Sequence, residues 1–174
     1  MSEKNISTKP SVVIDLPPIL EAYCRFALDI PKDQKEITVT RRGDIGKAIN
    51  GFLSKVPLKP SAVAAENPVI FIVPVTEYNQ YSLFSKYLYI SQEDQEQIVD
   101  RIEVLFNQWI DVFFMDGYNL NLSQLDIIES VLDILNVRFN CVNFDQIKKR
   151  DYRKTKQEVR ERSKMILKQR LSTI

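Results

Sequence analysis

Apolar residues recur along this chain with two periods, and the switches between them outline its elements. Between Ile19 and Ile30 the apolar positions Ile19, Leu20, Tyr23, Phe26, Ala27 and Ile30 fall at three- and four-residue steps, one face of a helix. Asp15 stands ahead of this face as its cap, and Pro17 and Pro18 suit the opening turn, whose N–H groups have no partner within a helix. Pro31 ends it. KEITVT (35–40) alternates Ile37 and Val39 with polar residues, a short strand. In 43–56 the period returns to helical, with Ile45, Ile49, Phe52 and Leu53 on one face. Gly46 and Gly51 each weaken that helix by about 1 kcal/mol relative to Ala, so close packing is the expected reason for them.

Residues 57–67 read as a loop, and PVIFIVPVT (68–76) as a buried strand in which Pro74 demands an edge or a bulge. YSLFSKYLYI (81–90) is read as its hairpin partner. Ser91 with Asp94 opens a long helix striped by Ile98, Ile102, Leu105, Trp109, Val112 and Phe113 and ending near Gly117. Ser123 with Asp126 opens a second, carrying Ile127, Ile128, Val131, Leu132 and Leu135; the short connection predicts antiparallel packing. VRFNCV (137–142) alternates like another strand. From Phe144 onward a thin stripe of Ile147, Tyr152, Val159, Ile166 and Leu171 predicts one long helix, with Glu158 and Arg162 paired at i,i+4. The pattern as a whole predicts an α+β fold: a mostly helical single domain with a small β-sheet or hairpin and a long C-terminal helix. Its parts are an extended polar arm (1–13), a globular domain (14–143) and a basic helix (144–174).

Composition narrows the chemistry. The 174 residues contain no histidine, which removes Ser-His-Asp and Cys-His nucleophile systems and the usual zinc sites. Cys24 and Cys141, far apart in sequence, read as buried thiols rather than a disulfide. The opening MSEKNISTKP is polar and not a secretory signal, and no apolar run reaches the length of about 18 residues that spans a membrane. Synthesis in a reducing cytosol is expected. GDIGKA (43–48) looks like the end of a phosphate-binding loop, but its first glycine is too close and Ala48 lacks the magnesium-binding hydroxyl. Asp111, Asp116 and Asp126 lack the spacing of a carboxylate metal site, and a solvated or interface-facing acidic surface is the expectation. Trp109, Phe113 and Phe114 read as core, with Phe114 breaking the stripe toward a partner. Arg41, Arg42, Lys47 and Lys55 read as a solvated basic rim. No catalytic, cofactor or metal residue is expected.

Net charge is +1, but it is unevenly spread. Residues 77–136 hold eleven acids against Lys86 and Arg101, whereas residues 144–174 hold eleven bases against Asp145, Asp151, Glu158 and Glu161. Lys148, Lys149, Arg150, Arg153, Lys154, Lys156, Arg160 and Arg162 are the candidate contacts, either with phosphates or with a protein interface. The acids interleaved among them favour helix pairing in an assembly.

Residues 17–49, PPILEAYCRFALDIPKDQKEITVTRRGDIGKAI, resemble N-terminal segments of small virion neck and tail ring proteins of crAss-like bacteriophages. The likeness rests on the Pro-Pro-hydrophobic start, the aromatic-Cys-Arg helix, DQKEI and RRGDIGKAI, under a fifth of the chain. It implies a non-enzymatic connector or ring component, stacked as a cyclic oligomer around the DNA channel and located in the virion after synthesis in the host cytoplasm. Its implied partners are copies of itself and neighbouring portal, neck or tail proteins, with non-specific DNA contact and no membrane. No cofactor and no active-site residues come with the resemblance. The alternative is a DNA-binding or genome-packaging accessory protein that uses the basic helix.

Overall fold

The computed structural model describes residues 9–61 and 65–151, together with Arg160, Glu161, Lys164, Met165 and Lys168, which are helical. In chain order the elements are β1 (Ser11–Asp15), α1 (Pro18–Ala27), β2 (Glu36–Thr38), α2 (Asp44–Phe52), β3 (Ser54–Val56), β4 (Pro68–Ile72), α3 (Gln80–Ser85), β5 (Tyr87–Tyr89), α4 (Gln92–Asn119), α5 (Gln124–Ile134) and α6 (Cys141–Arg150). The fold is α+β and mostly helical. It divides into two compact units, residues up to Glu103 and residues from Val104 onward, with α4 running through the boundary.

In the first unit the central strand is β4, antiparallel to β1 and parallel to β2. Register places Val12 opposite Phe71 and Phe71 opposite Ile37, and all three are buried. Opposed residues share a sheet face, so this row and the pair Ile14–Val69 form the core side. Val13, one residue along, is exposed. A separate two-stranded sheet pairs β3 antiparallel with β5. The buried residues of α1 (Leu20, Tyr23, Cys24) and α2 (Ile45, Ala48, Ile49) belong to this unit. Burial pushes the Cys24 thiol up to about 12, while Cys141, expected to be buried, is exposed; both are free thiols.

Several expectations are corrected. Residues 1–8 of the expected arm lie outside the described residues, and Ser11–Val13 belong to β1. Asp15 does not cap α1. Its carboxylate accepts the backbone N–H groups of Glu66 (3.1 Å) and Asn67 (2.7 Å), and Asn67 Nδ2 donates in return to the Leu16 carbonyl. With prolines in its first turn, α1 has fewer N–H groups to cap, and Pro17 caps it without a side-chain bond. Pro74 lies beyond the end of β4 and disturbs no ladder. Residues 81–90 do not pair with β4. The Asn79 side chain accepts the Thr76 N–H (2.6 Å) and donates to the Pro74 carbonyl (3.1 Å), turning the chain into α3. Only Tyr87–Tyr89 extends, and it pairs with β3.

On α4 the Ser91–Asp94 cap forms as expected. The buried stripe is Ile98, Ile102, Phe106, Ile110 and Phe114. Its constant four-residue step advances by about 40° each time, so the stripe winds around the helix. The expected shift to Leu105, Trp109, Val112 and Phe113 does not occur: Val112 is exposed, the others are half-buried, and Phe114 is wholly buried. In the second unit α5 starts at its Ser123–Asp126 capping box and buries Ile127, Ile128, Val131 and Leu132, as read from the sequence. Three helices stop in the same way. Asp29 (φ 54°), Asn121 (φ 60°) and Asn136 (φ 52°) adopt the left-handed conformation. The next N–H in each case closes on a carbonyl five residues back: Ile30 on Arg25, Leu122 on Gly117, Val137 on Leu132.

The two helical glycines are not equivalent. A Cβ on Gly46 would stand 1.8 Å from the Thr40 carbonyl oxygen, a backbone atom, whereas one on Gly51 meets nothing within 4 Å. Gly46→Ala is therefore expected to destabilise the chain by about 1–3 kcal/mol, and Gly51→Ala to stabilise it by up to about 1 kcal/mol. Urea unfolding of the two variants checks this; equal effects would contradict the tight Thr40 contact.

Candidate functional site

Residues 137–142, expected as a strand, instead lead into α6. The Asn140 side chain accepts the Asn143 N–H at 2.8 Å, and Asn143 Nδ2 donates to the Arg138 carbonyl at 2.8 Å. This local capping takes the backbone groups a strand would need, so the helix begins at Cys141, not Phe144. α6 packs on α5 and buries Ile147. Its last turn is Lys148, Lys149 and Arg150, where cations suit the negative end of the helix dipole.

The eight basic candidates separate by position. Lys148 and Lys149 are exposed, and the Lys148 ammonium lies 5.4 Å from the Phe144 ring centre. Arg150 is half-buried, with its guanidinium 5.5 Å from the Phe106 ring centre, so it serves the fold of the second unit. Arg160 is helical and exposed, as are Lys164 and Lys168. Arg153, Lys154, Lys156 and Arg162 lie outside the described residues, as does the expected Glu158–Arg162 pair.

Asp151 departs most from its sequence reading. Counted there as an acid interleaved among bases for helix pairing, it is only 1% exposed. Its Oδ2 accepts from the Tyr118 hydroxyl at 2.8 Å and from the Gln124 amide; its Oδ1 is buried without a hydrogen-bond partner. Burial, then the bond to Asp151, raises the Tyr118 phenol above its ordinary range. Tyr118 comes from the last turns of α4, where its ring lies 6.0 Å from Phe114, and Gln124 from the first turn of α5. A Cβ on Gly117 would meet Ile127 at 2.5 Å, so the glycine lets α5 come close to this end of α4. The root of the basic segment is thereby fastened to the α4–α5 corner. No sequence period marks this role; the only trace is a lone acid following Lys148–Arg150.

The other sequence candidates do not converge. Asp126 is held by Ser123, whose hydroxyl and N–H keep its carboxyl below the usual range. Asp116 is exposed and Asp111 half-buried, and among the described residues no group of three or more His, Cys, Asp or Glu is arranged to hold a metal. Arg41, Arg42, Lys47 and Lys55 are all exposed; Lys47 pairs with Asp44 at 3.2 Å and Lys55 donates to Ser82 at 2.7 Å. Among the described residues no helix is long and apolar enough to cross a membrane.

What the sequence reading missed is exposed apolar surface. In the first unit Tyr78 (97% exposed), Tyr81 (86%) and Phe84 stand in solvent. Glu77, Gln80, Tyr81, Phe84 and Ser85 line one shallow depression of about 610 Å³. In the second unit Leu120, Leu122 and Leu125 at the α4–α5 turn, and Phe139 and Val142 at the start of α6, are also exposed. Isolated exposed apolar residues are ordinary, but neighbouring groups of them mark contact surfaces. Compared with protein-family models, with curated proteins and with solved structures, the chain matches none.

Tyr118 and Asp151 can be tested as a unit. Tyr118→Phe removes a donor from a buried carboxylate and is expected to cost about 1.5–3 kcal/mol in urea unfolding. In the Asp151→Asn background the same change is expected to cost distinctly less, because no charge is then stranded. Equal costs in the two backgrounds would contradict the bond.

Proposed function

We propose that this chain is a non-enzymatic structural protein of a bacteriophage virion, a head-to-tail connector or neck/tail ring component that forms a cyclic oligomer around the DNA channel. The observation that carries the reading is the exposed apolar surface of each unit: Tyr78, Tyr81 and Phe84 in one, Leu120, Leu122, Leu125, Phe139 and Val142 in the other. A ring is built by joining one patch of a subunit to a different patch on its neighbour. Chemically distinct apolar groups, a tyrosine-rich one beside α3 and an aliphatic one (Leu120, Leu122, Leu125) at the α4–α5 turn, suit that requirement. The charges support it too: Glu77, Glu93, Glu96, Asp100, Asp116, Glu129 and Asp133 are all exposed, as are Lys148, Lys149, Arg160, Lys164 and Lys168. The proposed partners are further copies of the chain and adjoining portal, neck or tail proteins, and the proposed site of action is the virion. The resemblance of residues 17–49 to such proteins agrees with this reading.

Light scattering behind size exclusion is expected to give a mass that rises with concentration toward a closed multiple of the 20.3 kDa chain. A chain that stays monomeric at high concentration, and binds no portal or tail protein, would refute the proposal.

A second reading, a DNA-binding or packaging accessory protein, is favoured by the exposure of Lys148, Lys149, Arg160, Lys164 and Lys168. It predicts duplex-DNA affinity that falls steeply with salt, and a Lys148→Ala, Lys149→Ala variant whose log–log salt slope is shallower by about 2. Fluorescence anisotropy at several salt concentrations measures both. No affinity at low salt would end this reading.

A further inference from the structure

The depression beside α3 combines two aromatic rings with a carboxylate. Tyr81 and Phe84 lie three residues apart on α3 and so share a face of that helix; Glu77 precedes it, and all three side chains line the same hollow. Among the described residues no hydrogen bond, ion pair or ring contact engages the side chains of Glu77, Tyr81 or Phe84. The nearby Lys55 is turned to Ser82. An aromatic face attracts a cation through its quadrupole, and a carboxylate beside it adds a charge-assisted hydrogen bond. The same carboxylate repels phosphate, which disfavours nucleic acid stacked on these rings. A lysine or arginine side chain on a protein fits this chemistry. The chain itself carries exposed cations in Lys148, Lys149, Arg160, Lys164 and Lys168.

We infer that the Glu77–Tyr81–Phe84 hollow of one copy receives a lysine or arginine side chain from the basic C-terminal segment of a second copy. This rests on the assembly reading above and names one of its contacts. Complementary charge selects the occupant: an uncommitted acid lining the same hollow as two aromatic rings on one copy, and exposed bases on the next. The basic segment then acts as a coupling arm between subunits rather than as a clamp on DNA.

Photo-crosslinking tests this on the full chain. Tyr81 is replaced by benzoylphenylalanine, and an equimolar mixture of unlabelled and ¹⁵N-labelled protein is irradiated. Crosslinks to peptides within residues 145–174 that join one unlabelled and one labelled chain are expected. In sedimentation velocity Tyr81→Ser is expected to weaken self-association about tenfold and Tyr81→Phe to preserve it. The exposure of Tyr81 means that neither change should alter the circular dichroism spectrum. If the parent chain associates but crosslinks form elsewhere, only within one chain, or to added duplex DNA, this inference falls while the assembly reading stands. A parent chain that is monomeric throughout removes this inference, and it removes the assembly reading as well when the chain also binds no portal or tail protein.

Discussion

The first unit depends on how β4 is held. A strand with a parallel neighbour on one side and an antiparallel one on the other is enclosed along both edges, and its apolar sequence permits that enclosure. The antiparallel neighbour, β1, arrives from the start of the chain, so a long loop must close before the ladder forms. The Asp15 carboxylate and the Asn67 amide meet at the end of this ladder and fix the turn that delivers β4. On the other side, α2 leaves β2 by way of Gly46, which rests almost against the Thr40 carbonyl. Each of these contacts joins residues distant in sequence or brings backbone against backbone, and the core rows follow once they are made.

What was legible in the sequence was whatever depends on near neighbours. The helical stripe of α5, the Ser91 and Ser123 caps and the strand at KEITVT are set by spacing within a few residues. The errors arose where a polar side chain served a distant backbone or a local turn. Asp15 resembles a helix cap in sequence because nothing local reveals the 66–67 turn it serves. Asn79 and Asn140 each convert an apparently strand-like stretch into a helix start. The helix ends were legible but unread: Leu28-Asp29-Ile30, Leu120-Asn121-Leu122 and Leu135-Asn136-Val137 repeat one pattern, with Asp or Asn in the place where glycine is usual.

The exposed apolar groups were harder to see because exposure is not written in a local period. Tyr81 and Phe84 read as part of a hairpin strand until α3 forms and leaves them exposed, and Phe114 read as breaking the stripe toward a partner until the winding of the α4 stripe takes it inward. The charge blocks were visible by counting, but their meaning changes with burial. Asp151 leaves the surface account, Arg150 settles on Phe106, and Asp94 and Asp126 are spent on caps.

The fastening of Asp151 also fixes a length. Because that carboxylate is held between Tyr118 and Gln124, whatever follows is measured from a fixed point, and 23 residues remain to Ile174. A fully helical span of that size reaches about 35 Å and a fully extended one about 75 Å. Any surface that these 23 residues engage must lie inside that radius of Asp151.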